Sequence, residues 1–563
     1  MSAVAGSPAR TRTRPVSGGR LHRDVGRIAL MFTSVGSVIG SGWLLGALNA
    51  TQVAGPAALI SWVAGALAIM LLALIHAELG GLHHVNGGVA RFPHYAFGSL
   101  VGYGIGWIYW LGSVTLAPVE TEAAIQYSDK WVHSAFGFHM MHVIKGPPKQ
   151  VILSAPGYAV AAVLMLIFTA INLRGVRRLS HANTTVVWWK IAVPVLTVIV
   201  LLVTAFHASN FTAGGGFNPA GVKGILSAIA SGGVIFAYLG FEQAIQFGGE
   251  SRNPQRNIPF AVIGSMLIGA VVYILLEVAF LGALAPNAAG HGWANLTFTN
   301  QFGPYAALAS ALGLGWLAVI LYVDAFLSPA GTGLIYTGSS ARLSYALGRN
   351  GYVPAKFGEL NDRGVPVFGI LFAFAVGMIV FLPFPGWQKL VQFITQAVAV
   401  IYAAQCLSFA AMRHQLSDRP RPFRLPGAAV LAPAGFVISN LLVLFAGWTV
   451  GWKLFAAIAV GFLLLGVAQA VRAPEDRVEL DWRSAAWLWP WLVGLGVLSY
   501  LSSFQGGANA LPFGVDMLVT AGFSLVVYFF ALSRRLSPGQ VEKRMSSGAD
   551  ELSEHPEPGV AAG

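Results

Sequence analysis

The sequence predicts an all-α protein that crosses a lipid bilayer many times. Of the 563 residues, 56% are apolar and only 10% are charged, and the apolar residues form long unbroken runs. A typical soluble domain carries about 25% charged residues, so this chain cannot cover a soluble surface of its size. A transmembrane β-barrel would show short alternating segments instead. The composition therefore excludes a soluble enzyme, a secreted disulfide scaffold and a disordered chain.

A helix needs about 20 apolar residues to cross a bilayer. By this measure we predict about fourteen transmembrane helices. The stretch 305–316 belongs either to the eighth of them or to a separate helix before it. The predicted spans lie near 28–49, 56–79, 101–127, 157–173, 184–207, 225–248, 260–284, 315–341, 366–383, 388–412, 429–450, 452–471, 484–501 and 513–533.

The distribution of positive charge predicts the orientation of the spans. When alternate connections are assigned to opposite sides, 27 of the 34 Lys and Arg residues fall on the side of both termini, and 6 fall on the other side. Cytoplasmic connections carry such an excess, which places both termini in the cytoplasm and the protein in the plasma (inner) membrane. The net charge of +12 then faces anionic lipid, and nucleic acid is not an expected partner.

The chain divides into five predicted segments. Residues 1–27 form a basic arm without an apolar core of its own, so the first span is retained and not cleaved as a signal peptide. Residues 28–248 and 249–412 form the two parts of a ten-helix core, and residues 413–533 add about four helices. The tail 534–563 is rich in Ser, Gly, Pro and Glu, a composition that predicts disorder.

The sequence shows no clear spacing of metal ligands. Cys406 is the only cysteine and lies inside an apolar run, so neither a disulfide nor a Cys-based metal site is expected. His133, His139 and His142 lack the spacing of metal ligands. No P-loop is present, which argues against ATP-driven transport.

Two predicted spans are interrupted near their middle by small and polar residues. The first contains Gly36 to Gly42, and the sixth contains Ser231 to Gly233 and then Phe236 to Glu242. Glycines at such positions either permit close helix packing or allow the backbone to unwind around a polar cavity. Because the two interruptions lie five spans apart, we favour a transporter site.

Several motifs resemble the amino acid–polyamine–organocation (APC) superfamily of transporters. Besides the two interrupted spans, the loop Glu250 to Pro259 resembles that family's E-x-x-NP-x-R-x-IP motif, and Ala341 to Gly351 resembles the end of its eighth span. The resemblance covers about residues 25–450. It implies the five-plus-five inverted repeat of the LeuT fold, with four further helices. The Leu-Pro-Phe-Pro-Gly-Trp segment at 382–387 looks most like bacterial aspartate–proton symporters.

The resemblance implies a substrate site at the two interruptions. Backbone N–H groups of the first would bind a carboxylate, carbonyl groups of the second would accept from an ammonium group, and the Phe236 ring would cap the site. Asp324 could also receive the ammonium group. The predicted substrate-binding residues are Gly36, Ser37, Ile39, Gly40, Ser41, Gly42, Phe236, Ala237, Tyr238, Leu239 and Asp324.

Ionisable residues within spans are expensive and therefore mark functional positions. The resemblance implies proton coupling by Lys190 and Glu242, and we add Glu120, with Thr332 as the hydroxyl partner of Lys190. The alternatives are that Lys190 reaches the membrane surface and that Glu242 is a structural hydrogen-bonding residue. For the other acidic residues we expect ordinary positions: Glu122 exposed to solvent, Glu277 facing the bundle and Glu78 at the membrane interface.

Together these observations predict a proton-coupled amino acid symporter that works by alternating access, with spans 1, 2, 6 and 7 rocking against spans 3, 4, 8 and 9. Its partners would be the amino acid and the lipid bilayer, and the proton would be the coupling ion without any further cofactor. The resemblance to aspartate–proton symporters implies acidic substrates. An acidic substrate would prefer a basic partner, whereas most ionisable groups within the predicted spans are acidic. An exchanger or polyamine carrier is the alternative within the fold. A channel or a membrane-embedded enzyme would be a different class, and no catalytic constellation converges.

Overall fold

A computed structural model describes residues 25–82, 88–144, 150–174, 179–248, 251–298, 303–361, 364–384 and 386–553. Residues 1–24 of the predicted basic arm, Glu250 of the loop motif, Pro385 and the last ten residues of the tail lie outside the described residues. The regular secondary structure of the described residues is helical apart from one short hairpin, as expected of an all-α membrane protein.

Twenty α-helices follow one another along the described residues. In chain order they are α1 (Arg27–Val38), α2 (Ser41–Ala54), α3 (Ala58–Leu82), α4 (Gly88–Phe97), α5 (Ser99–Phe136), α6 (Ala155–Leu173), α7 (Leu179–Thr204), α8 (Gly221–Ser231), α9 (Val234–Ala237), α10 (Gln243–Gln246), α11 (Pro254–Ala283), α12 (Pro304–Ala311), α13 (Gly315–Arg349), α14 (Val367–Val380), α15 (Trp387–Gln415), α16 (Ala428–Ala446), α17 (Trp448–Val471), α18 (Leu488–Leu501), α19 (Val515–Ser533) and α20 (Pro538–Ser553). The antiparallel strands β1 (Met141–Ile144) and β2 (Gln150–Leu153) lie between α5 and α6.

The predicted membrane passes coincide with apolar helices of the structure. Within the described residues, ten helical segments are long and apolar enough to cross a bilayer, and shorter apolar helices complete passes 1, 6, 9 and 13. In chain order these give fourteen passes. Most of the stretch 305–316 forms a separate helix, α12, before pass 8, and its last residues belong to α13. We call the side of the β1–β2 hairpin the hairpin face and the opposite side, which carries α4 and α20, the α4 face.

Passes 1 and 6 are interrupted where the glycines predicted it. Helix α1 ends at Val38, and α2 begins two residues after Ile39. In pass 6, Gly233 and Gly240 have φ angles of +90° and +118°, a region that L side chains rarely adopt. The two breaks pack directly against each other, because a Cβ atom on Gly240 would lie 2.6 Å from the backbone of Ser37. These glycines therefore serve both the backbone conformation and the close approach.

The tail differs from the disorder predicted from residue 534. Its first part forms α20, which docks on the α4 face through the buried side chains of Val541 and Met545. Arg544 makes two 2.9 Å hydrogen bonds to the carboxylate of Asp481, and its guanidinium also lies 3.5 Å from His94 Nε2. Burial, reinforced by Arg544, lowers the pKa of His94 from 6.5 to about 4. The composition of the tail could not reveal these partners, since they lie far away in the sequence.

Glu78 also differs from its predicted interfacial position. The carboxylate at the end of α3 is buried and accepts two hydrogen bonds from Arg413, at 2.9 and 2.6 Å. Arg421 and the backbone N–H of Leu425 donate to the same carboxylate. The connection between α15 and α16 is thereby fixed to pass 2. A buried carboxylate is stable here because its partners neutralise and hydrogen-bond it.

Candidate functional site

A narrow cavity lies between the two breaks, at the centre of the ten-pass core. Seven of its ten lining residues belong to the predicted site. The other three, Val38, Leu116 and Tyr336, are additions that the sequence analysis missed. The lining residues are Ser37, Val38, Gly40, Gly42, Leu116, Glu120, Phe236, Leu239, Thr332 and Tyr336.

Helical spacing could have found two of the missed residues. Tyr336 follows Thr332 by four positions on α13, and Leu116 precedes Glu120 by four positions on α5. Residues at i and i+4 share a helix face, so a lining residue predicts its neighbours one turn away. Val38 carries no such signal, since it lies at the last position of α1 before the break.

Lys190 lies beside the first break and not at the membrane surface. Its ammonium group is buried and donates to the carbonyl oxygen of Gly36 at 2.8 Å and to Thr332 Oγ1 at 2.9 Å. The predicted contact between Lys190 and Thr332 is therefore present. Because the ammonium group faces the carbonyl end of α1, its charge complements the negative end of that helix. One side chain on pass 5 thus joins pass 1 to pass 8.

Glu120 occupies the other end of the same break. Its Oε2 atom accepts a 2.9 Å hydrogen bond from the backbone N–H of Ser41, the first residue of α2. Its Oε1 atom is so close to Gly40 that a Cβ atom there would lie 2.8 Å away. The carboxylate thus complements the positive end of α2, and it interacts electrostatically with Lys190.

The first break therefore uses its backbone differently from the prediction. We predicted that Gly36 and Ser41 would both offer N–H groups to a carboxylate. Gly36 instead lies within α1 and offers its carbonyl group to Lys190, because the helix ends two residues later. The Ser41 N–H is engaged by Glu120.

Glu242 lies below the second break, outside the cavity lining. Its Oε2 atom accepts from the Gly240 backbone N–H at 3.1 Å and from the Tyr402 hydroxyl at 3.2 Å. The nearby Tyr109 hydroxyl accepts a hydrogen bond from Gln246 on α10. The carboxyl group is thus part of a buried polar cluster between pass 6 and passes 3 and 10.

Asp324 is brought close to the cavity but not into its lining. Its carboxylate is buried and accepts from Trp43 Nε1 at 3.1 Å and from Ser328 Oγ at 2.7 Å. These partners hold it against α2 and against its own helix, about two turns from Thr332, the nearest cavity-lining residue of α13. The interpretation as a buried Asp held by donors therefore describes its contacts better than a role as ammonium acceptor.

The remaining predicted binding residues pack behind the cavity. Ile39 is fully buried, and Ala237 lies directly behind Gly42, whose Cβ would come within 2.8 Å of the Ala237 Cα. Tyr238 points away, stacks edge-on against Trp62 and donates to the Trp62 carbonyl oxygen. These residues shape the breaks without lining the cavity.

Two further acidic residues have defined surroundings. Glu277 faces the bundle, as expected, and accepts from Thr51 Oγ1 at 2.8 Å and from Trp62 Nε1 at 2.9 Å. Glu122 was expected to be exposed, but it is fully buried, and neither of its oxygens has a hydrogen-bond partner among the described residues. Among those residues, no group of three His, Cys, Asp or Glu side chains could hold a metal ion.

Many apolar helices with two interrupted ones around a central cavity are typical of a secondary membrane transporter. The family model described as "Amino acid permease" matches residues 25–467, and the chain belongs to this family of transporters. The predicted family resemblance is thus confirmed, and the chain is a permease and not an enzyme.

Curated relatives cover most of the chain. The glutamate/serine transporter AimA of Bacillus subtilis is 38% identical over 515 residues, which are 91% of this chain and 94% of that protein. The aspartate-proton symporter of Bacillus subtilis is 33% identical over 516 residues, or 91% of this chain and 96% of that protein. A branched-chain amino acid permease, BcaP of the same organism, is 25% identical over 79% of this chain and 92% of its own length.

Proposed function

We propose that this permease is a proton-coupled symporter of α-amino acids. The observation that carries the proposal is the buried ammonium group of Lys190, bonded to Gly36 of the first break and to Thr332 of pass 8. A fixed positive charge at this place disfavours a sodium ion and can exchange a proton. Relatives named as a glutamate/serine transporter and an aspartate-proton symporter support both the amino acid and the proton.

The two ends of the first break already hold charges that match an α-amino acid. Glu120 binds the N–H end of α2, where a substrate carboxylate would bind, and Lys190 binds the carbonyl end of α1. A substrate carboxylate can take the Ser41 N–H only if Glu120 withdraws. Protonation of Glu120 removes its negative charge and weakens its hold on Ser41. Proton binding and substrate binding then favour each other, which is the coupling that symport requires.

The substrate class that we propose is small polar and acidic amino acids. The relatives of highest identity quoted above carry glutamate, serine or aspartate in their names. The cavity is narrow and is lined by hydroxyl groups of Ser37, Thr332 and Tyr336, which suits a short polar side chain better than a bulky apolar one. Lys190 supplies a positive charge near the cavity for a second carboxylate.

We further propose that both termini and the α4 face lie in the cytoplasm of a cell with this protein in its inner membrane. The support is the excess of Lys and Arg on that side, 27 against 6. Because Cys406 is buried and is the only cysteine, a single cysteine introduced at Ser417 or Gly137 reports on one face alone. An impermeant maleimide should label Gly137→Cys, and not Ser417→Cys, in intact cells.

Transport by purified protein in liposomes tests the proposed function. With an imposed inward proton gradient, the protein should accumulate glutamate, aspartate or serine above the external concentration, and a protonophore should abolish this. Replacement of sodium by choline should change nothing. A requirement for sodium at zero proton gradient would contradict the proposal. Countertransport without net accumulation would indicate an exchanger, and flux that does not saturate would indicate a channel.

A further inference from the structure

Trp387 stands at the start of α15, where the Leu382 to Trp387 segment enters the membrane from the hairpin face. Its indole is 2% exposed and does not line the cavity. Nevertheless, it contacts both broken helices. These contacts bear on the substrate site, although the cavity lining alone does not include the residue.

The first contact reaches pass 1. The indole Nε1–H donates to the Ser41 hydroxyl oxygen at 3.1 Å. Ser41 is the residue whose backbone N–H holds Glu120. Pass 10 is thus linked through a single serine to the end of α2 at which a substrate carboxylate would bind.

The second contact reaches pass 6. The ring of Phe236, which lines the cavity, meets the Trp387 indole edge-to-face at 5.6 Å and 87°. Such a geometry is favourable for two aromatic rings. At Gly233, a Cβ atom would lie 3.1 Å from the same indole, and Gln388 donates to the Ser231 carbonyl oxygen at 3.3 Å. The first turn of α15 therefore bridges the interrupted parts of both passes.

We infer that Trp387 is a positioning residue that holds Phe236 and Ser41 together and thereby closes the cavity toward the hairpin face. This inference rests on the proposed function, because closure matters only if substrate enters from that face. Opening requires Phe236 to move away from the cavity, and this movement breaks the contact with the indole. Trp387 thus stabilises the closed arrangement and sets the affinity for a substrate that is enclosed there.

A double-mutant cycle tests the link between Trp387 and Ser41. Trp387→Phe keeps a ring against Phe236 but removes the N–H donor, and Ser41→Ala removes the acceptor. Loss of one neutral hydrogen bond should raise the KM of uptake about 2- to 12-fold in each single variant. The KM of the double variant should not exceed that of the more impaired single variant. Trp482→Phe, at an exposed tryptophan, is the matched control and should leave KM unchanged.

The accessibility of the cavity is a second measurement, and it would not change if Trp387 had only a structural role. In a Cys406→Ser background, Leu116→Cys places a reporter in the cavity lining. An impermeant maleimide applied from the hairpin face should label it at least about fivefold faster when Trp387 is alanine, since the edge-to-face contact is then absent. Thermal unfolding of each variant is measured in parallel.

The outcomes separate this inference from the proposed function. Additive KM effects in the cycle, or labelling rates that do not change while the melting temperature falls, would overturn the positioning role. If the wild-type protein transports no amino acid, the proposed function fails. The labelling comparison still decides whether Trp387 closes the cavity, because it requires no substrate.

Discussion

Replacement of Gly40 by alanine is a sharp test of the site, because the added methyl group meets two functional residues at once. The Cβ atom would lie 2.8 Å from Glu120 Oε1 and 3.2 Å from Thr332 Oγ1, closer than ordinary van der Waals contact. The φ angle of Gly40 is −120°, so the backbone itself does not require glycine. The effect therefore comes from the contact with the carboxylate, which must move.

The size of the effect follows from the hydrogen bond that this movement breaks. Glu120 Oε2 accepts from the Ser41 N–H at 2.9 Å. A hydrogen bond to a charged group contributes about 1.5–3 kcal/mol. Since the substrate carboxylate can take this N–H group only when Glu120 withdraws, a displaced Glu120 should raise the affinity for the amino acid, by up to about 10- to 150-fold.

Equilibrium binding of a radiolabelled amino acid to purified protein measures this change, and thermal unfolding in detergent monitors folding. Gly466→Ala is the matched control, since an added Cβ at this exposed glycine meets nothing within 4 Å. It should bind as the wild type does. A folded Gly40→Ala protein that binds within twofold of the wild type would refute the placement of the substrate beside Glu120.

Three further predictions concern charged groups. Lys190→Ala should abolish accumulation under a fixed proton gradient while substrate exchange persists, and an unchanged accumulation ratio would move the coupling role to Glu242. Glu78→Gln leaves two partly buried arginines with a neutral partner and should destabilise the fold by up to about 3 kcal/mol, measured by thermal unfolding. Protonation of His94, whose pKa is lowered from 6.5 to about 4, opposes the docked state of α20 as the pH falls from 6.5 through 4. Undocking restores only the part of this pKa shift that α20 causes, so the penalty at pH 5 is below about 2 kcal/mol, and hydrogen exchange in 538–546 should accelerate, but not in His94→Asn.

The fold could be predicted from the sequence because the bilayer imposes a length and a polarity on every pass. The apolar runs predicted the helices that the structure contains, and the glycines of passes 1 and 6 marked both breaks. Residues with a positive φ angle, such as Gly233 and Gly240, leave a direct trace in the sequence, since other residues are strained there. Local conformational requirements of this kind can be read without knowledge of distant partners.

The partners of individual side chains could not be read in the same way. Glu78 appeared interfacial because its arginine partner at position 413 is 335 residues away. Asp324 lay at a suitable depth for substrate, but Trp43 and Ser328 satisfy it outside the cavity. Helix rotation decides which way a side chain at a given depth points, and the mixed polarity of α13 does not define that rotation.

The charges at the first break form a pair, and this leads to a final prediction. Glu120 neutralises the N–H end of α2, and Lys190 neutralises the carbonyl end of α1. Both groups are buried, so Glu120→Gln or Lys190→Met leaves the other group without its counter-charge. Each single variant should lose stability, by up to about 3–5 kcal/mol.

The double variant removes both charges and should regain much of that stability, because no uncompensated charge remains. It should nevertheless transport without dependence on the proton gradient, since neither group can then exchange a proton. Thermal unfolding and uptake at two external pH values measure the two effects separately. Single-variant losses that simply add in the double variant would show that the residues act independently, and the first break would then not be a coupled site for charge and substrate.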